Sequence, residues 1–340
     1  MSQAMLIVGH GTRSEAGQSE CADLVEVVRS RRPELRVELG YLELCPPPIH
    51  DVVEGLVADG VDDLTVVPLV LLAAGHAKGD VPAAVERERR THAGMRLRYG
   101  RPLGIRPELL EVVDDRLAAA VPDGDREDTA VVVVGRGTSD PDANGDLAKI
   151  ARLLWEGRAW PLVEPAFVSL AEPSVPAALD RVRALGARRV AVVPWFLFTG
   201  VLEERIRDQA EEWARANPEV AVTSAGYLGA DRRVADLLLE RYDEARAGAA
   251  VANCDTCLYR TALPGFEDRV GLPQTLHHHP EDPATGEPGH RHGHDHAHGH
   301  DHAHGHALGN GHGADGERRH EDAHGGTGPA GTATRSTSSR

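Results

Sequence analysis

The apolar positions of the first 120 residues fall into short blocks that alternate between two periods. Met5–Val8 is a continuous apolar run that stops at Gly9-His10-Gly11-Thr12. Ser14–Arg32 then carries Cys21, Leu24, Val25 and Val28 at helical spacing, and Pro33 follows its end. Leu35–Leu44 reads as a strand that Pro46-Pro47-Pro48 breaks, and Ile49–Asp59 is an amphipathic helix closing on Gly60. Leu64–Leu72 is a further β-rich run, Ala83–Arg90 predicts a helix, Met95–Tyr99 a strand and Pro107–Ala120 a helix. This alternation implies a parallel sheet with helices on both faces. Near-continuous apolar runs such as Thr65–Leu72 suit strands buried on both sides.

The pattern then returns. Thr129–Val134 ends in Gly135-Arg136-Gly137-Thr138, which repeats Gly9–Thr12 at a shift of 126 residues. The same shift lays Tyr41–Leu71 on Phe167–Leu197 without a gap, with Leu44 on Leu170, Pro47 on Pro173 and Gly60 on Gly186. One offset held across several elements predicts a tandem duplication. The expected fold class is α/β: two tandem flavodoxin-like lobes, residues 1–122 and 128–250, then an extension over 251–275 and a tail over 276–340.

Composition changes the picture in three places. Beyond Leu276 the chain is rich in His, Gly, Asp, Ala and Pro and almost empty of large apolar residues, so it is expected to stay disordered. The net charge of −16 argues against a nucleic-acid partner and requires that any anionic ligand be met by local positive charge. The four cysteines, Cys21, Cys45, Cys254 and Cys257, do not make a secreted disulfide framework. With no cleavable signal and no apolar run long enough to span a bilayer, the expectation is a cytoplasmic protein without a membrane partner.

On this frame His10 lies just beyond the first strand, Glu43 near the end of the second and His76 just after the third, in Ala74-Gly75-His76-Ala77-Lys78. All three belong at the carboxyl edge of one parallel sheet, where open α/β sheets bind ligands. Two imidazoles and a carboxylate suit a divalent transition metal, and either histidine is also a candidate general base near neutral pH. Taken singly, each would more often be a turn or surface residue. The duplication offers a contrast: His10 falls on Arg136, Glu43 on Ser169, and His76 on Leu202, or on Val201 if the turn shifts by one. The scaffold repeats and the ligands do not, which favours one site, in the first lobe. His50 and His92 read as surface residues. Gly9–Arg13 lacks both the Walker ending and the dinucleotide glycine spacing, so no nucleotide is expected.

Through Leu6–Arg13, Val67–His76 and Val193–Gly200 the chain resembles the sirohydrochlorin chelatases of the class II chelatase superfamily, in the long, two-lobed cobaltochelatase form. The similarity runs over roughly residues 4–260. The resemblance implies insertion of a divalent metal, Co²⁺, Fe²⁺ or Ni²⁺, into sirohydrochlorin during cobalamin or sirohaem synthesis. It implies that His10 and His76 hold the metal and assist deprotonation, with Glu43 the best match to a third, glutamate ligand of a related anaerobic enzyme. Arg13, Lys78 and Arg136 lie near the same edges and are candidates to pair with the substrate's carboxylates. Between two lobes, the macrocycle would be held bent toward the metal.

Two further features lie outside the lobes. Fifteen of the nineteen histidines lie beyond residue 276, and His292, His294, His296, His298, His300, His302, His304 and His306 alternate with other residues. Imidazole suits Co²⁺, Ni²⁺, Zn²⁺ and Cu²⁺, so the tail reads as a weak, multi-ion metal store. Cys254-Asp255-Thr256-Cys257 would suit zinc, a redox pair or half of an iron–sulfur cluster, the last being what the resemblance adds. A four-iron cluster wants four protein ligands, so a second chain, as in a homodimer, or a nearby histidine would have to complete it. The readings in competition are an iron chelatase with the same site, a metal-storage or metallochaperone protein that needs no tetrapyrrole, and a zinc hydrolase.

Overall fold

In the computed structural model the described residues are 2–272, apart from Asp123 and Asn253. The tail histidines and the expected disorder beyond residue 276 therefore lie outside them.

Two four-stranded sheets, all parallel, repeat one plan. The first half runs β1 (Gln3–Gly9), α1 (Glu15–Arg31), β2 (Arg36–Tyr41), α2 (Ile49–Ala58), β3 (Asp63–Pro68), α3 (Val81–Thr91), β4 (Arg96–Tyr99) and α4 (Pro107–Ala120). The second runs β5 (Thr129–Gly135), α5 (Pro141–Trp155), β6 (Val163–Phe167), α6 (Val175–Ala184), β7 (Arg189–Pro194), α7 (Val201–Ala216), β8 (Ala221–Ser224) and α8 (Arg232–Arg246). The strand orders are β2-β1-β3-β4 and β6-β5-β7-β8. The two lobes expected from the duplication are thus present, with helices on both faces of each sheet.

Alternation along β1 sorts its side chains between two cores. Ala4, Leu6 and Val8 pack with residues of α2 and α3, whereas Met5 and Ile7 join a core that continues into the second half. In β5, Val131 and Val133 reach that same central core. The last helix of each half crosses over: α8 packs on α1, β3 and β4, and α4 packs on α5 and β7. Paired side chains hold the exchange. Arg101 makes two bonds to Glu244, at 2.7 and 2.8 Å, and the fully buried Arg241 donates to the carbonyls of Pro102 and Leu103 at 3.1 and 2.8 Å. In the opposite direction Arg116 donates to the carbonyls of Tyr227 and Leu228. The lobes are consequently one packed body, and the space between their sheet edges has fixed walls.

Two strands are shorter than the apolar pattern predicts. The run Leu64–Leu72 leaves the sheet after Pro68, because β1 offers its last backbone bond at Val8, whose carbonyl accepts from Leu69 at 2.8 Å. Val70 and Leu71 instead accept from Leu103 and Gly104. The expected strand Leu35–Leu44 stops at Tyr41, because the chain folds over Gly11 and reaches a left-handed turn at Leu44, φ 69°. His50 and His92 are not surface residues either. They flank the buried carboxylate of Glu88, His50 Nδ1 at 3.2 Å and His92 Nε2 at 3.5 Å, in the seam between α2 and α3.

Backbone pairs date the duplication's one slip. Leu103 to Val70 corresponds to Leu228 to Phe196, so the offset is 126 before the turn and 125 after it. His76 and Val201 each begin the helical segment that follows the third strand of their half.

Candidate metal centre

In a 2-1-3-4 sheet the chain reverses its direction of winding between β1 and β3, and a crevice opens above their carboxyl ends. His10 follows β1, and His76 follows β3 in a single π-helical turn, His76–Asp80, that runs into α3. Such turns concentrate at functional sites. Glu43 comes from the turn after β2. That turn is folded onto the first one: the Glu43 N–H donates to the His10 carbonyl at 3.0 Å, and Leu42 N–H to that of Gly9 at 2.9 Å.

The three side chains converge. One ligand atom from each of His10, Glu43 and His76 lies within 4.8 Å of the others, the only such group of three among the described residues. The imidazole rings meet edge to face with centroids 4.4 Å apart. Each histidine has one nitrogen already engaged. His76 Nδ1 donates to the buried carboxylate of Asp80 at 2.6 Å, and His10 Nδ1 to the Gly11 carbonyl at 3.2 Å. This places the protons on Nδ1 and the lone pairs on Nε2, the arrangement that metal-binding histidines adopt. His10 Nε2 then faces Glu43 Oε1 at 3.1 Å. A divalent cation between them would satisfy both lone pairs. Adjacent ligands about 2.0–2.2 Å from a metal lie roughly 3 Å apart, so the spacing fits a first-row divalent ion.

Asp80 was not singled out by sequence, although its position four residues after His76 is the signal for it. Asp80→Asn is expected to lower metal affinity, or insertion rate, by about 10- to 100-fold. Titration with Co²⁺ would read this, and an unchanged affinity and rate would remove Asp80 from the site.

Burial, and next the proximity of His76, push His10 down to about 4 against the pull of Glu43; burial also lowers His76, although Asp80 opposes it. Both rings are thus neutral and able to donate a lone pair below the ordinary imidazole range. Between about pH 6.5 and 4 the unfolded chain takes up protons that the folded His10 refuses, so this group's contribution to stability is complete above the first value and lost toward the second. Co²⁺ absorbance in a chain cut after Pro273 is expected to persist to about pH 5. A midpoint near 6.5 would contradict the assignment.

The centre opens into a cleft of about 600 Å³ between the two sheet edges. Leu69–Leu72 form one apolar wall and Trp195–Leu197 the facing one, with Arg136 at the rim. Of the three cations proposed for substrate carboxylates, Arg136 alone lines this cleft. Arg13 is exposed and does not line it. Lys78 turns away from the substrate role: its Nζ binds Asp140 at 2.7 Å and Asp142 at 3.1 Å, tying the His76 turn to the start of α5. Those partners come from the other lobe, so no local pattern announced them. Cys254 and Cys257 are half-buried free thiols that join no group of three ligands among the described residues.

Comparison with known proteins meets this geometry. The sequence model of the CbiX family matches the chain twice, at residues 4–120 and 130–245. The chain is 36% identical over 283 residues to the sirohydrochlorin cobaltochelatase of Priestia megaterium, covering 82% of this chain and 88% of that protein. It is 34% identical over 250 residues to the sirohydrochlorin ferrochelatase of Bacillus subtilis strain 168, covering 73% of this chain and 94% of that one. Among solved structures, SirB from Bacillus subtilis with Fe³⁺ superposes with a TM-score of 0.64 at 34% identity, over 73% of this chain and 97% of that chain.

Proposed function

Because the chain belongs to the CbiX family, we propose that it inserts a divalent metal, Co²⁺ before Fe²⁺, into sirohydrochlorin, with His10, Glu43 and His76 as the groups that hand the ion over. The observation that carries this is the ligand cluster, two of whose members, His10 and His76, line an apolar-walled cleft. Metal insertion must strip water from the ion and remove two protons from the ring nitrogens. Three protein ligands would replace part of the hydration shell, at a site where His10 and His76 line the cleft. As the metal passes to the ring nitrogens, the freed Nε2 lone pairs and the Glu43 carboxylate become available to accept the displaced protons. No nucleotide has a role in these steps.

Apolar walls and a ligand floor would also favour an iron-specific form of the same reaction, since two imidazoles and a carboxylate do not choose between Co²⁺ and Fe²⁺. An anaerobic absorbance assay with each metal tests both. Acceleration over the spontaneous rate is the expected result, and none with either metal would leave metal storage as the better reading. No helix among the described residues is long and apolar enough to cross a membrane.

The His-rich tail is proposed as an accessory store. A chain cut after Pro273 is expected to lose several weakly bound Co²⁺ ions in equilibrium dialysis while its insertion rate at saturating metal changes less than about twofold. A large rate loss would place the tail in the reaction itself.

A further inference from the structure

The family match ends at residue 245, yet the chain does not leave the cleft there. After α8 it returns across the gap between the lobes. Leu258, Tyr259, Phe266 and Arg269 line the same cleft as His10 and His76. The segment is fastened rather than draped: Leu258 is buried, Thr256 Oγ1 bonds to Asp142, and Gly271 N–H closes a loop onto the Tyr259 carbonyl at 3.0 Å. Asp142 is also a partner of Lys78, so one carboxylate joins the returning segment to the turn that carries His76.

From this placement we propose that residues 254–272 form the roof of the macrocycle cleft, and that Arg269 on the roof and Arg136 on the second lobe's rim anchor the carboxylates of the tetrapyrrole. The inference rests on the proposed function and adds the substrate-binding residues to it. A polycarboxylate approaching a chain of net charge −16 needs local cations. Arg136 is exposed and has no ion pair among the described residues, and Arg269 reaches only its neighbour Asp268, at 3.9 Å. Both guanidinium groups are therefore free to make the paired, planar bonds that carboxylates favour. Lys78, the other cation of the cleft edge, is held by two carboxylates. The rings of Tyr259 and Phe266, which line the same cleft, offer aromatic surface to the flat face of the macrocycle.

The experiment is an anaerobic absorbance titration of the full chain with metal-free sirohydrochlorin, followed by insertion kinetics, for Arg269→Glu, Arg136→Glu, Arg269→Lys and Arg260→Glu. Arg260 is exposed on the same segment and does not line the cleft, so it serves as the charge control. Arg269→Glu and Arg136→Glu are each expected to weaken macrocycle binding by about tenfold or more and to raise KM in parallel, with kcat and Co²⁺ affinity nearly unchanged. Arg269→Lys is expected to recover part of the affinity, and Arg260→Glu to match the unaltered chain. Macrocycle affinity that is unchanged in Arg269→Glu, or weakened equally in Arg260→Glu, would overturn the roof assignment while leaving the chelatase reading in place. An unaltered chain that neither binds nor metallates sirohydrochlorin would overturn the functional reading and this inference with it.

Discussion

His10→Ala is expected to lower metal insertion by about two to four orders of magnitude, the range over which positioned acid–base groups act. The effect is large because His10 has three tasks at one point. It supplies a ligand atom, it is in ring contact with His76 at 4.4 Å, and its Nε2 faces Glu43 at 3.1 Å. Removing the imidazole leaves the Glu43 carboxylate without its cation-sharing partner and opens the floor of the cleft to water. Stability should change little or rise slightly, because a partly desolvated imidazole held neutral is lost with it. Insertion rate and thermal midpoint, measured on the same preparation, separate the two. Arg136→Ala is the contrasting change, since Arg136 occupies the position equivalent to His10 in the second lobe; it is expected to alter substrate affinity and to spare the chemistry. Equal loss of insertion rate at saturating substrate in both variants would contradict a single site in the first lobe.

Gly11→Ala is expected to destabilise the protein by about 3 kcal/mol or more and to abolish insertion in the molecules that remain folded. Gly11 has a φ of +99°, and a Cβ there would lie 1.7 Å from the Glu43 carbonyl oxygen. Only displacement of the turn that carries Glu43 relieves this, so the metal ligands separate. The duplication supplies the control. Gly137 has a φ of +82° and its Cβ would lie 1.8 Å from the Ser169 carbonyl oxygen, in a lobe with no group of three such ligands among the described residues. Gly137→Ala should therefore cost similar stability and, measured at low temperature on folded protein, raise KM by displacing Arg136 while retaining most of the insertion rate at saturating substrate. Denaturant melts and insertion assays on the two variants provide the comparison. Equal residual activity in both would mean that the Gly11 turn supports the fold and not the position of Glu43.

These glycines also mark how far the sequence could be read. The repeated Gly-x-Gly-Thr turn and the constant offset implied two equivalent parallel sheets, and strand-end positions alone were enough to bring His10, Glu43 and His76 to one edge. What local pattern leaves out is the partner across a gap. The pattern predicts a helix over Pro107–Ala120 and says nothing of which sheet receives it, so the exchange of α4 and α8 between lobes was not legible. Lys78 looked like a free cation beside His76 because Asp140 and Asp142 are more than sixty residues away in the chain. His50 and His92 read as surface residues from their places, in the helix after the proline run and near a helix end, while Glu88, which both approach, is buried. The returning segment 254–272 has no helical or strand period at all. Its place over the cleft follows from tertiary contacts of Leu258 and Thr256, and Arg269 went unnoticed for that reason.

The most direct test of the central claim is a single turnover under anaerobic conditions. The chain cut after Pro273 is loaded with one equivalent of Co²⁺ and mixed with sirohydrochlorin, while the visible bands of protein-bound Co²⁺ and of the macrocycle are followed together. The account predicts that the protein-bound signal decays as the metallated macrocycle appears, with one rate constant, and that His10→Ala/His76→Ala shows neither signal above the spontaneous reaction. Metallation at an undiminished rate in the double variant would contradict it, and would place the transfer of the ion somewhere other than the carboxyl edge of the first sheet.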